Sequence, residues 1–214
     1  RMSLSLSPDS TAIITKALAS VGDLATLPEI TVKIVEVVDN PKSTARDLHD
    51  IIKHDPALSA RILKVVNSAF YGLPGQIATV ERAIIMLGLS AVKNIAIASS
   101  LNKMFTSTKL GGQFTARDLW THSLAVGSAS RMIAKAMGRL GTEEAFVAGL
   151  MHDLGLLVER QAFAEQLSAV IDRVEKDNAD FLQTEMELIG ADHQGFGLGL
   201  TTKWKFPQIG RAHV

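Results

Sequence analysis

One adjacent pair of side chains in the middle of an apolar run could do chemistry. The segment AFVAGLMHDLGLL, residues 145–157, carries His152 and Asp153 in its centre. Imidazole and carboxylate groups are common protein ligands of the divalent metals that hydrolytic enzymes use. The pair therefore predicts either a metal site or, where that role is lost, a hydrogen-bonded helix end.

A third ligand candidate, His122, lies early in the long helix expected over residues 114–138. A short turn, GRLGT, joins that helix to the next, so the two should be antiparallel neighbours. His122 and His152 then come back to the same level. Adjacent helical residues point about 100° apart, so His152 and Asp153 can share a metal only where their helix ends. Gly155 favours such an end, and the spacing predicts a metal site, working or vestigial, at His122, His152 and Asp153.

Composition excludes several other classes of protein. Of the 214 residues, 47% are hydrophobic and 21% charged, which is typical of a globular chain rather than a disordered one. Lys+Arg and Asp+Glu both number 22, so no overall basic field attracts DNA. The absence of Cys excludes disulfides and thiolate metal sites. The apolar runs are too short to span a membrane, and the N-terminus lacks a signal-peptide core. A cytoplasmic protein without membrane contact is expected.

Helical periodicity and helix-start signals recur along the chain, so an all-α fold is expected. Residues 30–38 are predicted to form a helix closed by Pro41, although their β-branched content leaves a strand as the alternative. Helix N-caps are expected at Ser43 or Thr44, Asp55, Thr79, Ser90, Thr115, Thr142 and Asp192. Asp118, three residues after Thr115, predicts a capping box.

The chain is expected to divide into two helical halves. The polar, Gly-paired segment 107–113 is the best linker candidate. The predicted organisation is an N-terminal leader over 1–19, a helical half over 20–106, the linker over 107–113, and a second helical half over 114–214. Residues 1–10 are expected to be loose.

Several motifs carry a family resemblance. The chain contains LPEI, DPALSARILKVVNSAFYG, TVERAIIMLGLSAVKNIAI, LWTHSLAVG and DHQGFG…KWKFP in that order. Together with His122 and His152–Asp153 they resemble the HDOD domain, or HD-related output domain, of bacterial signalling proteins. That domain is a degenerate branch of the HD metal-dependent phosphohydrolases. The resemblance spans residues 20–210 and implies an HD-like helical bundle preceded by a second helical subdomain.

The chain departs from the catalytic pattern H…HD…D in two places. Catalytic relatives often read HDIGK, but Leu156 here follows Gly155. No Asp or Glu follows His193, so the closing carboxylate would have to be one of four upstream residues: Asp172, Asp177, Asp180 and Asp192. The first three are expected in solvent and Asp192 as an N-cap, which favours a vestigial hydrogen-bonded cluster.

The resemblance therefore implies a signal-transduction output or adaptor module that acts through protein–protein contacts. No catalytic residue and no cofactor is expected, although a divalent metal at the degenerate site stays open. The partner would be a signalling protein or a fused regulatory domain, contacting residues 25–105 or the cleft between the halves. The alternative is a metal-dependent phosphohydrolase acting on a nucleotide or cyclic dinucleotide. A third option is nucleotide binding without hydrolysis.

Other notable residues are expected to be structural. His193 is expected to be a structural residue in a Gly-rich stretch, where Gly195, Gly197 and Gly199 allow close helix packing. His49 and His54 are expected at the surface, and His213 lies at the terminus. Asn67 and Ser68 should close a helix and bond a neighbouring loop. Trp120 and Trp204 should pack between helices.

Overall fold

The expected all-α fold is confirmed in a computed structural model of the chain. The structure describes residues 7–22, 29–40, 42–69, 71–105, 109–111, 114–139 and 141–204. Within these ranges the chain forms twelve α-helices, a 3₁₀ turn and one two-stranded hairpin. None of the helices in this part of the chain has the length and apolar character needed to cross a membrane.

The elements before the midpoint of the chain are helical throughout. In chain order they are α1 (Pro8–Ser20), α2 (Glu29–Asp39), α3 (Ala45–Ile52), α4 (Pro56–Val66), α5 (Val80–Leu87), α6 (Leu89–Leu101) and the 3₁₀ turn (Asn102–Met104).

A short antiparallel hairpin opens the second set of elements. These are β1 (Lys109–Gly111), β2 (Phe114–Thr115), α7 (Ala116–Ala136), α8 (Thr142–Met151), α9 (Gly155–Ala162), α10 (Ala164–Asp177), α11 (Phe181–Leu188) and α12 (His193–Lys203).

Helix α2 settles the one ambiguous prediction in the N-terminal half. Residues 29–39 are helical, so the strand alternative is wrong. Ile34 is fully buried, and its helical neighbours Ile30, Val37 and Val38 pack against the same cluster. Period-3.6 burial therefore outweighs the β-branched composition. Pro41, the predicted closing residue, lies outside the described residues.

Local capping rules place most of the helix starts. Thr44 caps α3 in a capping box, Asp55 caps α4 ahead of Pro56, and Thr79 caps α5 through the backbone nitrogen of Arg82. Each cap satisfies an amide that has no partner within its helix. Ser90 does not cap α6, because that helix already begins at Leu89.

The start of α8 corrects another prediction. Thr142 is the first residue of the helix, and Gly141 occupies the N-cap with φ of 81°. Glycine adopts this left-handed conformation without a Cβ clash. The predicted box at α7 is confirmed, with Thr115 and Asp118 bonded to each other in both directions.

One hydrophobic cluster, here called the N-terminal cluster, is aliphatic in all its buried members. They are Ile34, Leu48, Ile52, Leu58, Ile62, Val66, Ile77, Val80, Ala83, Ile84, Val92, Ile95 and Ala96. A second, the C-terminal cluster, is centred on α8, α9 and α12 and includes Phe146, Leu150, Leu154, Phe196 and Leu200.

Helix α6 contributes to both clusters. Val92, Ile95 and Ala96 are buried in the N-terminal cluster, whereas Ile97 and Leu101 are buried in the C-terminal cluster. The two halves are thus joined through one continuous helix as well as through the hairpin that follows it.

Helix α1 also belongs with the C-terminal cluster. Its Ile14, Ala17 and Leu18 are buried there, and it packs on α12. Residues 8–10, which we expected to be loose, are therefore already helical, because Ser7 caps α1 and Pro8 occupies its first turn. Residues 1–6 of the expected leader lie outside the described residues.

The predicted linker is only partly described. Residues 109–111 form β1, and residues 107, 108, 112 and 113 lie outside the described ranges. Lys109 pairs with Thr115 and Gly111 with Phe114. The segment between the halves is thus a hairpin where it is described, and the division into domains stays a prediction.

Candidate functional site

The His-Asp pair lies in a break between two helices. Helix α8 ends at Met151 and α9 begins at Gly155, which leaves His152 and Asp153 in the turn between them. The predicted helix end is thus confirmed. It lets neighbouring side chains turn towards one point, and His152 Nε2 lies 3.0 Å from Asp153 Oδ2.

His122 reaches the same point from α7. Helices α7 and α8 form the most extensive helix pair of the molecule, and a Cβ on Gly149 would lie 2.8 Å from Gly127 Cα. At this close approach the rings of His122 and His152 are 5.2 Å apart between centroids. His122 Nε2 lies 3.5 Å from Asp153 Oδ2. The structure thus brings the three predicted residues together, and they are called the HD group below.

The HD group has the chemistry of a metal site. One ligand atom from each residue lies within 4.8 Å of the other two. Small side-chain rotations can close such a set around an ion with bonds of about 2.0–2.2 Å. Two imidazoles and one carboxylate are also a set that zinc, iron or manganese accepts. The residues therefore fit the metal that the family resemblance implies.

Hydrogen bonding fixes the tautomer of His152. Its Nδ1 lies 2.8 Å from the carbonyl oxygen of Gly149. A carbonyl oxygen can only accept, so Nδ1 donates and Nε2 is the nitrogen that faces Asp153. Such a backbone bond orients a histidine for metal binding.

His193 approaches the same carboxylate from its other side. It is the first residue of α12, and its Nε2 lies 3.6 Å from Asp153 Oδ1. Its Nδ1 lies 2.8 and 2.9 Å from the two carboxyl oxygens of Glu185. His193 therefore bridges Glu185 to the HD group, a contact that the sequence did not reveal.

Two carboxyl groups lie behind His193 with no exposed surface. Glu185 on α11 and Glu159 on α9 are both fully buried. Burial first, and then the charge and hydrogen bond of Glu185, raise the pKa of Glu159 to about 10. Glu159 is therefore protonated at neutral pH beside Glu185, which accepts a hydrogen bond from His193. No sequence signal marks these residues, because glutamates in amphipathic helices are usually exposed.

Charges in this cluster shift the other pKa values in a consistent way. Burial lowers the pKa of His152, but the hydrogen bond and charge of Asp153 outweigh it and raise the net pKa. Burial also lowers the pKa of His193, but Glu185, Asp153 and Asp192 together outweigh it and raise the net pKa. Burial raises the pKa of Asp153, whereas His152, His193 and His122 together lower it below its usual value. The cluster thus keeps Asp153 ionised and raises the proton affinity of His152 and His193.

The candidate closing carboxylates lie elsewhere. Asp192 caps α12 through Gly195 N, as predicted, and Asp180 caps α11 through Gln183 N. Asp172 and Asp177 are exposed on α10. None of the four belongs to the metal-ligand group found among the described residues.

A pocket of about 350 Å³ opens beside the HD group. On one side it is lined by His122, Asp153 and His193. Its other walls are apolar side chains from the hairpin and from α9, α10 and α11: Leu110, Phe114, Leu156, Leu167, Ile171 and Phe181. It is called the HD pocket below. Leu156, the departure from HDIGK, is one of its walls.

Close packing of α9 on α12 positions His193 over the pocket. A Cβ on Gly155 would overlap the carbonyl oxygen of His193, and Gly197 approaches Gly155 N. Gly199 packs closely against Ile14 and Leu18. The predicted role of the glycines in close helix packing is thus confirmed at Gly199, whereas a Cβ on Gly197 would find ordinary contact at 3.6 Å.

Most of the other singled-out residues are structural, as predicted. Asn67 ends α4 and exchanges two hydrogen bonds with the backbone of Ile77. Trp120 packs on Phe105, and Trp204 is buried. His54 is exposed, His49 is half-buried rather than at the surface, and His213 lies outside the described residues.

Comparison with known proteins agrees with the family resemblance seen in the sequence motifs. The family model for the HDOD domain matches residues 24–213, nearly the whole chain. The chain belongs to the HDOD family. A relative from Treponema pallidum, named only as an uncharacterized protein, is 27% identical over 201 residues, which cover 91% of the chain and 38% of that protein.

Solved structures share the same fold. An HDOD domain protein of unknown function from Geobacter sulfurreducens is 26% identical with a TM-score of 0.80, over 93% of this chain and 66% of its own. A protein from Shewanella amazonensis, named as a candidate phosphohydrolase, is 31% identical with a TM-score of 0.73, over 89% and 67%. The HDOD chain thus spans about two thirds or less of the relatives it matches.

Proposed function

We propose that this HDOD domain is a signal-transduction module that acts through protein–protein contacts and does not hydrolyse phosphoesters. The observation that carries the proposal is the lining of the HD pocket. Among the described residues, nine line this pocket; none of these is a Lys or an Arg, and six are apolar. Phosphoryl transfer develops negative charge that enzymes offset with cations and aimed hydrogen-bond donors.

The departures in sequence have matching positions in space. Leu156, which stands where catalytic relatives that read HDIGK carry the Lys, is 7% exposed and forms part of the pocket wall. The four aspartates that could have completed the ligand set cap helices or face solvent. These features support a group kept for hydrogen bonding and helix placement.

Exposed apolar side chains support contact with a partner. On α7, Met132, Ile133 and Met137 are 69%, 59% and 62% exposed, and on α5 Ile85 is 72% exposed. Contiguous exposed apolar surface often marks an interaction site.

The α7 residues follow directly on a junction between the two halves. Arg131 lies 5.0 Å from the ring centroid of Tyr71 and pairs with Glu143 at 2.6 Å. Tyr71 belongs to the NSAFYG motif of the N-terminal half. A partner, whether a separate signalling protein or a fused regulatory domain, would therefore contact the cleft between the halves. Bound there, it would touch both halves at once.

Elemental analysis and turnover assays test the proposal together. The purified chain is loaded with Mn²⁺, Fe²⁺ or Zn²⁺, and its metal content is compared with that of His152→Ala. A panel of nucleoside phosphates and cyclic dinucleotides is then incubated with each protein. We expect no turnover above the His152→Ala background, whatever the metal content. Phosphoester turnover that disappears in His152→Ala would overturn the proposal.

A contact-surface variant tests the interaction itself. Ile133→Asp places a charge on the exposed face of α7, and Glu165→Ala changes an exposed position on α10 as the control. We expect Ile133→Asp to lose the proteins that co-purify with the chain from its source cells, whereas Glu165→Ala keeps them. Equal recovery by both variants would contradict a contact at α7.

The second candidate function is a metal-dependent phosphohydrolase, and the convergence of the HD group favours it. His122, His152 and Asp153 would hold the ion, which would polarise a phosphate and lower the pKa of bound water. The Shewanella relative carries a name of this class. The turnover assay above decides between the two functions, because only this one requires a product.

A further inference from the structure

The HD pocket has a lining that fits a ligand of a different class from nucleotides. We infer that it binds a small molecule with an apolar body and a single hydrogen-bond-donating head. Such binding goes beyond the proposed protein contacts, because it can occur whether or not a partner is bound. It would make the domain a sensor of a small metabolite.

The apolar body follows from the walls. Leu110, Leu156, Leu167 and Ile171 are between 0% and 7% exposed, so these walls are packed into the core behind them. Phe114 and Phe181 are partly exposed and stand at the opening. Small-molecule sites are typically apolar clefts with a few polar groups that fix orientation. At about 350 Å³ this pocket is at the small end of that class, which limits the body to about one ring or a short branched chain.

The donor head follows from the hydrogen bonding of Asp153. Its Oδ2 faces His152 Nε2 at 3.0 Å and His122 Nε2 at 3.5 Å. Its Oδ1 faces His193 Nε2 at 3.6 Å, which is longer than a hydrogen bond. A carboxylate oxygen can only accept, and covering it with an apolar ligand would remove its water without replacement. An O–H or N–H group on the ligand supplies the missing donor.

The same geometry disfavours anionic heads. A carboxylate or phosphate head would meet Asp153 with a like charge, and none of the pocket residues that the structure describes is a Lys or an Arg that could compensate it. His193 bonds the Glu185 carboxylate through Nδ1, so a positive charge on its ring is already offset by that carboxylate. An alcohol or amine head satisfies Asp153 without adding a buried anion.

A panel with one body and five heads tests the inference. The probes are cyclohexylmethanol, cyclohexylmethylamine, cyclohexanecarboxylate, cyclohexylmethyl phosphate and methylcyclohexane. Binding to the full chain is measured by protein-observed NMR titration, which also reports that the chain is folded. We expect saturable binding of the alcohol or the amine at least tenfold tighter than that of the carboxylate and the phosphate. Equal binding of the phosphate, or no saturable binding of any probe, overturns the inference.

Two variants locate the site and separate body from head. Phe114→Ala removes an apolar wall and should weaken all the bound probes at least fivefold. Phe163→Ala is the matched control, because Phe163 is equally half-buried but packs on Phe196 away from the pocket. Asp153→Asn should weaken the alcohol and amine at least tenfold and leave methylcyclohexane unchanged. Binding that survives both Phe114→Ala and Asp153→Asn lies elsewhere and contradicts the inference.

The outcome of the probe-binding experiments does not depend on the proposed signalling function. Failure of the probes to bind leaves the turnover and co-purification experiments unaffected. Turnover of a phosphoester would overturn the signalling proposal without deciding whether the pocket takes an apolar ligand. The two ideas therefore fail independently.

Discussion

The two halves of the molecule differ in the chemistry of the side chains that they bury. The N-terminal cluster is built only from Ile, Leu, Val and Ala, and the polar residues buried near it, Thr31 and Asn94, are uncharged. The C-terminal half instead buries two carboxyl groups, Glu159 and Glu185, and places His193 between them and Asp153.

That difference indicates what each half contributes. An aliphatic core of this kind supplies stability and a surface, and it needs no specific polar partner. A buried acid–carboxylate–imidazole chain costs free energy of desolvation, so its presence is better explained by the orientation of His193 at the HD pocket. Substitutions of matched kind in the two halves test whether their buried groups contribute in these different ways.

The largest effect is expected at Gly155. In Gly155→Ala the new Cβ would overlap the backbone of His193 and come within 2.8 Å of Gly197 N, so α9 and α12 must separate. Loss of more than about 3 kcal/mol of unfolding free energy is expected, measured by urea denaturation. Gly197→Ala is the control, since its Cβ would find ordinary contact at 3.6 Å. Similar losses in both variants would show that the close approach is not rigid.

Truncation in the aliphatic core should come next. Ile62 is fully buried, and Ile62→Ala should cost about 2–5 kcal/mol through lost burial and a cavity. The buried members of this cluster carry no charge, and burial raises the pKa of Tyr71, which packs against it, to about 12, so the loss should be the same at pH 6 and pH 8. A cost that varies strongly with pH would contradict the contrast drawn between the halves.

In the C-terminal half, replacing Glu159 is expected to give a pH-dependent gain in the free energy of unfolding. The pKa of Glu159 is raised from 4.5 to about 10, so the folded chain binds this proton more tightly than the unfolded chain does. Its contribution to stability is complete below pH 4.5 and declines as the pH rises towards 10. Glu159→Gln keeps a donor for Glu185 and should stabilise the domain at pH 8 by about 2–3 kcal/mol.

Thermal and urea unfolding at several pH values check this gain. The advantage of Glu159→Gln over the wild type should shrink as the pH falls towards 5. Glu165→Gln on the exposed face of α10 is the matched control and should change little. An advantage independent of pH would mean that Glu159 is not the group responsible.

The smallest effects should be equal in the two halves. Thr44 and Thr115 form the same capping box, with Asp47 and Asp118. Thr44→Ala and Thr115→Ala should each cost about 1 kcal/mol, because each leaves helix-start amides without a partner. Urea midpoints of the two variants should therefore agree, and a large difference would show that the halves differ in cooperativity as well as in chemistry.

Features governed by neighbouring residues were the ones that could be predicted. Thr115 with Asp118, Asp55 with Pro56, and Asp192 all cap helices as expected, because capping depends on three or four adjacent residues. The convergence of His122 with the His-Asp turn was also predictable, since a short turn fixes the level of two antiparallel helices.

Features that depend on tertiary packing could not be predicted in the same way. Thr142 is not the predicted N-cap of α8, because Gly141 occupies that position. The sequence does not show the positive φ that Gly141 adopts there. Glu185 and Glu159 meet only because α9, α11 and α12 pack together. Their burial opposes the usual preference of glutamate for solvent, and no spacing in the sequence signals it.

Helix α6 couples the unfolding of the two halves. Its middle residues complete one core and its last turns complete the other, so melting it would expose both at once. The boundary drawn by composition is therefore not a boundary of unfolding. Calorimetry should show one endotherm whose van't Hoff and calorimetric enthalpies agree. Amides of α6 should exchange with solvent only through global opening, at the slowest rates in the molecule.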